Sequence, residues 1–252
     1  MTLDAGRKLP KYQQIAHSLR SSIKDGAYPD GSQLPGTREL AARFAVADMT
    51  VRQAIGILRA EGLIDSRGGA GHFVRSFAPI RRHGIQRLAR DRWGSGASIW
   101  SDEKRDLVVD QLVVQENVVA PENVAADLEL RDGETACLRS RRFVIADRPV
   151  LLSRSFLPQA LVAGSQITQS DTGPGGTYAR LGELGAAPVH YREELRVRQP
   201  DAEEAERLGL AIGAPVIQLV RTAWAEGQRP VEVNEMVLDA TAYILDYEFD
   251  AP

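Results

Sequence analysis

Residues 48 to 60, DMTVRQAIGILRA, place Val51, Ala54, Ile55 and Leu58 on one side of a helix and leave Met49, Thr50, Arg52 and Gln53 on the other. A hydroxyl, an amide and a guanidinium on one exposed helical face suit phosphate oxygens and base edges, since arginine offers paired donors to guanine and glutamine pairs with adenine. The stretch RGGAGH follows, where Arg67, Gly69 and His72 make a small, polar hairpin tip. Tyr12 and Arg38, on two earlier helical stretches, complete this candidate nucleic-acid set. A second group lies beyond residue 130, where polar side chains interrupt apolar strands: Arg139, Arg141, Ser153 and Glu232, with Thr177 and Tyr178 after the glycines of TGPGG. Isolated polar groups in such strands are costly unless paired, and free N–H groups at a helix start hold anions. This group has the composition of a small-molecule site.

The elements that must hold the first group are legible. Tyr12, Ile15, Leu19 and Ile23 form one stripe on a helix that Gly26 ends. A short helix, Thr37 to Phe44, and a three-residue turn precede the helix beginning near Asp48. That is a helix-turn-helix, and the hairpin around RGGAG makes it winged. The charge agrees: residues 1–90 carry 15 Lys and Arg against 7 Asp and Glu, and the remainder 16 against 27. A basic first third on an acidic body suits an anionic partner for that third only.

Within Leu9–Val74, the runs LPGTRELA, MTVRQA and LRAEGLI stand in the order found in the GntR family of bacterial transcription regulators, which the segment resembles. The resemblance implies that Arg38 sits near phosphate, that Thr50 and Arg52 contact phosphate or bases, and that Gly69 is the wing tip. Many members have Ser-Arg where this chain has Ala47-Asp48, and Gly36 likewise replaces a common serine cap. Asp48 is expected to cap the recognition helix; the alternative is a contact to a cytosine amino group. Either way the operator should differ from the usual family half-site.

Residues 76–95 are basic, lack a strand pattern and read as a linker with a short helix, near DNA through Arg81, Arg82, Arg87 and Arg90. Six strand-like stretches follow between residues 106 and 239, with helices expected at 121–130, 178–184 and 201–209. From Ile99 to Phe249 the chain resembles the UTRA domain of the HutC subfamily, carried by DRPVLLSRSFLP and by DAEEAERLGLAIGAPVIQLVRTAWAEGQRPVEVNEMVLD. The implied fold is that of chorismate lyase, used in the family to sense small molecules at positions like Arg141, Thr177 and Glu232. A glutamate common near Ser153 is missing, which speaks against amino-sugar phosphates.

The expected fold class is therefore α+β: a winged helix-turn-helix at 1–75, a linker at 76–95, and an antiparallel-sheet UTRA domain at 96–252. The expected partners are a double-stranded DNA operator, a small-molecule effector and a second copy of the chain, in the cytoplasm and away from membranes. No cofactor, metal site or catalytic set is expected, since Cys137 is the only cysteine and only His190 lies beyond residue 90 among the histidines. Two alternatives stay open: an enzyme of lyase-like fold with a DNA-binding appendage, and a regulator whose pocket has degenerated.

Overall fold

Three helices and a hairpin form around one apolar cluster at the N-terminus of the computed structural model, which describes residues 9–67 (Arg67 by its backbone), 69–75, 79–84, 86–97, 99 and 107–250. The helices are α1 (Lys11–Lys24), α2 (Thr37–Phe44) and α3 (Asp48–Ala60), and the strands β1 (Ile64–Arg67) and β2 (Gly71–Val74). Ile15, Leu19, Leu34, Leu40, Val51, Ala54, Ile55, Leu58 and Val74 are buried together, as their helical and strand spacing requires. The turn between α2 and α3 works because Ala45 takes a left-handed conformation, φ 52°, ending α2 while Val46 N–H returns to Ala41 O at 3.1 Å. Strands β1 and β2 pair antiparallel, Ile64 opposite Val74 and Arg67 opposite Gly71.

One expectation is corrected here. Asp48 does not cap α3: the cap position belongs to Ala47, with no side-chain hydrogen bond, and Asp48 is the first helical residue. Its carboxylate complements the positive helix end from within the first turn.

By its contacts the chain divides into two units, residues 1–78 with 210–215 and residues 79–209 with 216–252. The second unit is built on β4 (Val108–Val118), β5 (Ala136–Ile145), β6 (Arg148–Pro158), β7 (His190–Arg198), β8 (Val216–Trp224) and β9 (Pro230–Asp239), entered through β3 (Ile80–His83) and α4 (Arg90–Gly94). These six strands form one antiparallel sheet in the order β4-β5-β6-β9-β8-β7. Helices α5 (Glu122–Asp127) and α8 (Ala202–Leu208) follow β4 and β7, so β4-α5-β5-β6 and β7-α8-β8-β9 are two copies of one βαββ unit meeting at β6 and β9. Registers make the relation exact enough to read: Arg141 lies opposite Ser153, and Arg221 opposite Asn234, at the same place in each copy.

Helix α5 packs Val124 and Leu128 against Leu138, Phe156 and Val233 on one sheet face. The other face, carrying Cys137, Leu157, Ala223 and Val231 among its buried residues, is covered by α6 (Gln159–Val162), α7 (Gly176–Glu183) and the segment holding Leu88 and Trp93. The stretch expected as a linker with a short helix holds that helix, α4, and also a strand and buried side chains. Strand β3 pairs in parallel with β10 (Tyr243–Asp246), and Arg82 and Arg87, expected near DNA, are buried at 2% and 3% exposure. Among the described residues no helix is long and apolar enough to cross a membrane.

Candidate DNA-reading face and effector pocket

On α3, Met49 is 62% exposed, Arg52 and Gln53 are exposed and Thr50 is half-buried, so the four stand together on one face as expected. Arg38 is exposed on α2, while Tyr12 is half-buried against the helical core. At the hairpin, Gly69 has φ 73°, a conformation glycine adopts freely. Gln33 braces the tip by donating to Ala70 O at 2.7 Å. His72 Nδ1 lies 2.8 Å from Ser66 Oγ, and burial together with nearby Arg59 pushes its pKa down. His72 therefore serves as a neutral hydrogen-bonding group at neutral pH. The Arg67 side chain lies outside the described residues.

In the second unit, a cavity of about 240 Å³ is lined by Arg139, Arg141, Arg221, Asp171, Glu232 and Asn234 with Thr177 and Tyr178. Antiparallel register puts one polar row across five neighbouring strands: Arg139, Ser155, Asn234, Arg221 and Glu193. Glu232 sits one register step away, between the hydroxyls of Ser155 and Tyr178, which both donate to it, the latter at 2.7 Å. Burial drives the Tyr178 phenol well above its ordinary pKa, so it stays a donor.

The three arginines differ. Arg139 spends its guanidinium on the loop over the cavity, donating to Ile167 O, to Gln169 O at 2.5 Å and to Ser170 O at 3.0 Å. Arg141 makes no hydrogen bond to a described residue, and burial beside Arg139 and Arg221 brings its pKa down to about 10. Arg221 has no exposure, and none of its three nitrogens has a hydrogen-bond partner among the described residues. It lies 3.8 Å from Glu193 Oε1, 3.7 Å from Glu232 Oε2 and over the Tyr178 ring at 5.5 Å. Burial opposes its charge, but these neighbours outweigh that and raise its pKa.

The cavity mouth is the N-terminus of α7. Gly175, φ 77°, is fixed there by donating to Gly96 O at 2.9 Å, and a Cβ on it would meet Trp93 O at 2.5 Å. Trp93 in turn stacks edge-on against Tyr178 at 6.1 Å.

Of the residues expected at this site, Arg139, Arg141, Thr177, Tyr178 and Glu232 line the cavity. Ser153 is not among the lining residues; its hydroxyl donates to Asn234 Oδ1 at 2.8 Å and positions that amide. Arg221, Asn234 and Asp171 escaped the reading from sequence. The βαββ repeat was the signal for the first two, since it sets PVLLS beside PVEVN and so Arg141 beside Arg221 and Ser153 beside Asn234. Cys137 is fully buried, and burial pushes its thiol up, which disfavours the thiolate.

Residues 11–74 match the family described as bacterial regulatory proteins, gntR family, and residues 108–244 match the UTRA domain. The chain belongs to the GntR family of transcriptional regulators, in its UTRA-bearing, HutC-like branch. It is 30% identical to the HTH-type transcriptional regulator SCO4628 of Streptomyces coelicolor, over 97% of this chain and 94% of that one. It is 26% identical to the HTH-type transcriptional repressor NagR of Bacillus subtilis, over 99% of each. A crystal structure of a GntR-family regulator, 26% identical, superposes with TM-score 0.61 over 96% of this chain and 98% of that one. PhnF of Mycobacterium smegmatis, at 22% identity and TM-score 0.54 over 94% and 100%, shares the fold. This GntR regulator thus has the two parts its family needs: a module that reads operator DNA and one that binds a small molecule.

Proposed function

We infer that the protein is a cytoplasmic repressor that binds a pseudo-palindromic operator as a homodimer and leaves it when a small anionic effector fills the UTRA cavity. The observation that carries this is the charge of the cavity, where Arg139, Arg141 and Arg221 face Glu232 and Asp171. Such a site favours an anion, because an unneutralised excess of buried cations is expensive. Asn234, Thr177 and Tyr178 add hydrogen-bonding groups that fix orientation. Met49, Thr50, Arg52 and Gln53 would face the major groove, with the β1–β2 hairpin beside it. Membership of a regulator family supports reading the cavity as a binding site without turnover.

Two recognition helices related by a two-fold would reach successive major grooves ~34 Å apart. Effector binding would favour a dimer geometry that no longer matches this spacing, and affinity for DNA would fall by the coupling energy. The test is a genomic binding selection with purified protein at ~150 mM salt, where nonspecific phosphate contacts are weak. A palindromic motif supports the reading; retention of DNA without a motif overturns it.

A further inference from the structure

Two arginines, Arg87 and Arg221, are buried beside a single carboxylate, Glu193, beyond the inner wall of the cavity. Glu193 Oε1 accepts from Arg87 Nη2 at 2.6 Å and stands 3.8 Å from Arg221 Nη1, while its Oε2 accepts from the Tyr247 hydroxyl at 2.9 Å. Burial first, then Arg82 and Arg221, hold the Arg87 guanidinium well below its ordinary pKa. The two arginines belong to different parts of the unit. Arg221 lines the cavity, whereas Arg87 lies on residues 80–97, the strap that leads in from the DNA-binding unit.

We propose that Arg221 anchors an oxyanion of the ligand together with its repeat counterpart Arg141, and that Glu193 passes the occupancy of Arg221 to Arg87 and so to the strap. This rests on reading the cavity as the effector site. The sign follows from the charges. Arg221 holds no hydrogen bond to a described residue and shares the attraction of Glu193 with Arg87. A guanidinium whose nitrogens make no hydrogen bond to a described residue is a fork made for a carboxylate or phosphoryl group. An oxyanion on Arg221 neutralises one of the cations that repel Arg87 and frees Glu193 Oε1 from Arg221, so that Arg87 holds it without a competing arginine. The strap ion pair then tightens, and the segment joining reader to sensor becomes more rigid. The polar row Asn234–Arg221–Glu193 gives the route a fixed geometry across β9, β8 and β7.

The experiment is amide hydrogen exchange on the full chain, titrated with inorganic phosphate at constant ionic strength against chloride. Residues 172–178 report the cavity mouth and residues 86–97 the strap. In the unaltered protein both slow, by roughly tenfold once phosphate reaches ten times its dissociation constant. In Arg221→Met neither slows. In Glu193→Gln the mouth still slows and the strap does not, and in Arg87→Lys, which keeps the charge, strap protection partly survives. Should Glu193→Gln fail to fold, Tyr247→Phe removes one hydrogen bond from the same carboxylate and weakens strap protection relative to the mouth. Undiminished strap protection in Glu193→Gln, or in Tyr247→Phe where that stands in, overturns the relay. Undiminished mouth protection in Arg221→Met overturns the anchor. No slowing anywhere in the unaltered protein overturns the anion-binding reading of the cavity itself, a result distinct from both.

Discussion

Arg38 and Arg52 are both exposed, with no ion pair to a described residue, yet their places predict different failures. Arg52 lies on the reading face of α3, so Arg52→Ala should cost about 1–3 kcal/mol on the operator and relax specificity at one base step. Arg38→Ala should weaken all sequences alike and lower the slope of log K against log salt by about one. Binding isotherms on operator and scrambled DNA at several salt concentrations separate the two. In the cavity, Arg141 carries a charge that burial opposes, its pKa drawn down to about 10. Arg141→Met should therefore raise stability by on the order of 1 kcal/mol while abolishing anion binding, as thermal melts with and without ligand would show. Single residues are also where sequence reasoning stopped short. Arg139, Arg141, Thr177, Tyr178 and Glu232 stood out because each interrupts an apolar run or follows a glycine turn. Arg221 sits in VRTAW, where an arginine reads equally well as a surface residue. Only its register partners, Glu193 and Asn234, give it a role.

At the scale of elements, α8 opens with a capping box. Asp201 accepts from Glu204 N–H at 2.8 Å, Glu204 accepts from Asp201 N–H at 3.0 Å, and Arg198 binds the same carboxylate at 2.6 and 2.7 Å. The Arg198 hydrogen bonds hold the Glu204 carboxyl below its ordinary pKa. A depressed folded-state value means that the unfolded chain takes up the proton first. The stabilisation is complete above the unfolded carboxylate value of ~4.3 and is lost as pH falls through the lower folded-state value. Glu204→Gln should lose stability at neutral pH and show a flatter decline in that acid window, measured by urea unfolding from pH 3 to 7. Gly175→Ala should cost about 1–3 kcal/mol and loosen the cavity mouth, since its φ of 77° and the Trp93 carbonyl at 2.5 Å leave no place for a methyl. Most elements were legible because their hydrophobic period is local. Strand β3 was not: IRRH buries Ile80 and an arginine on alternate positions, and its partner β10 comes some 160 residues later. The misplaced cap at Asp48 has a simpler origin, an N-terminus read one residue off.

For the whole molecule, the inferred two-fold predicts a solution mass twice that of one chain, tested by light scattering at micromolar concentration. It also predicts that inserting about five base pairs between operator half-sites abolishes binding, because half a helical turn carries one half-site to the opposite side of the duplex. The pairing of β3 with β10 bears on how the protein is made. Synthesis runs from the N-terminus, so the three-helix module and its hairpin emerge and fold first. The six-stranded sheet follows, but β3 has no partner until β10, the last strand of the unit, has left the ribosome. Every nascent chain thus passes through an interval in which it carries a finished reader and an unclosed sensor. A premature stop codon after β9 would make that interval permanent, and its product would compete for the operator while remaining deaf to the signal.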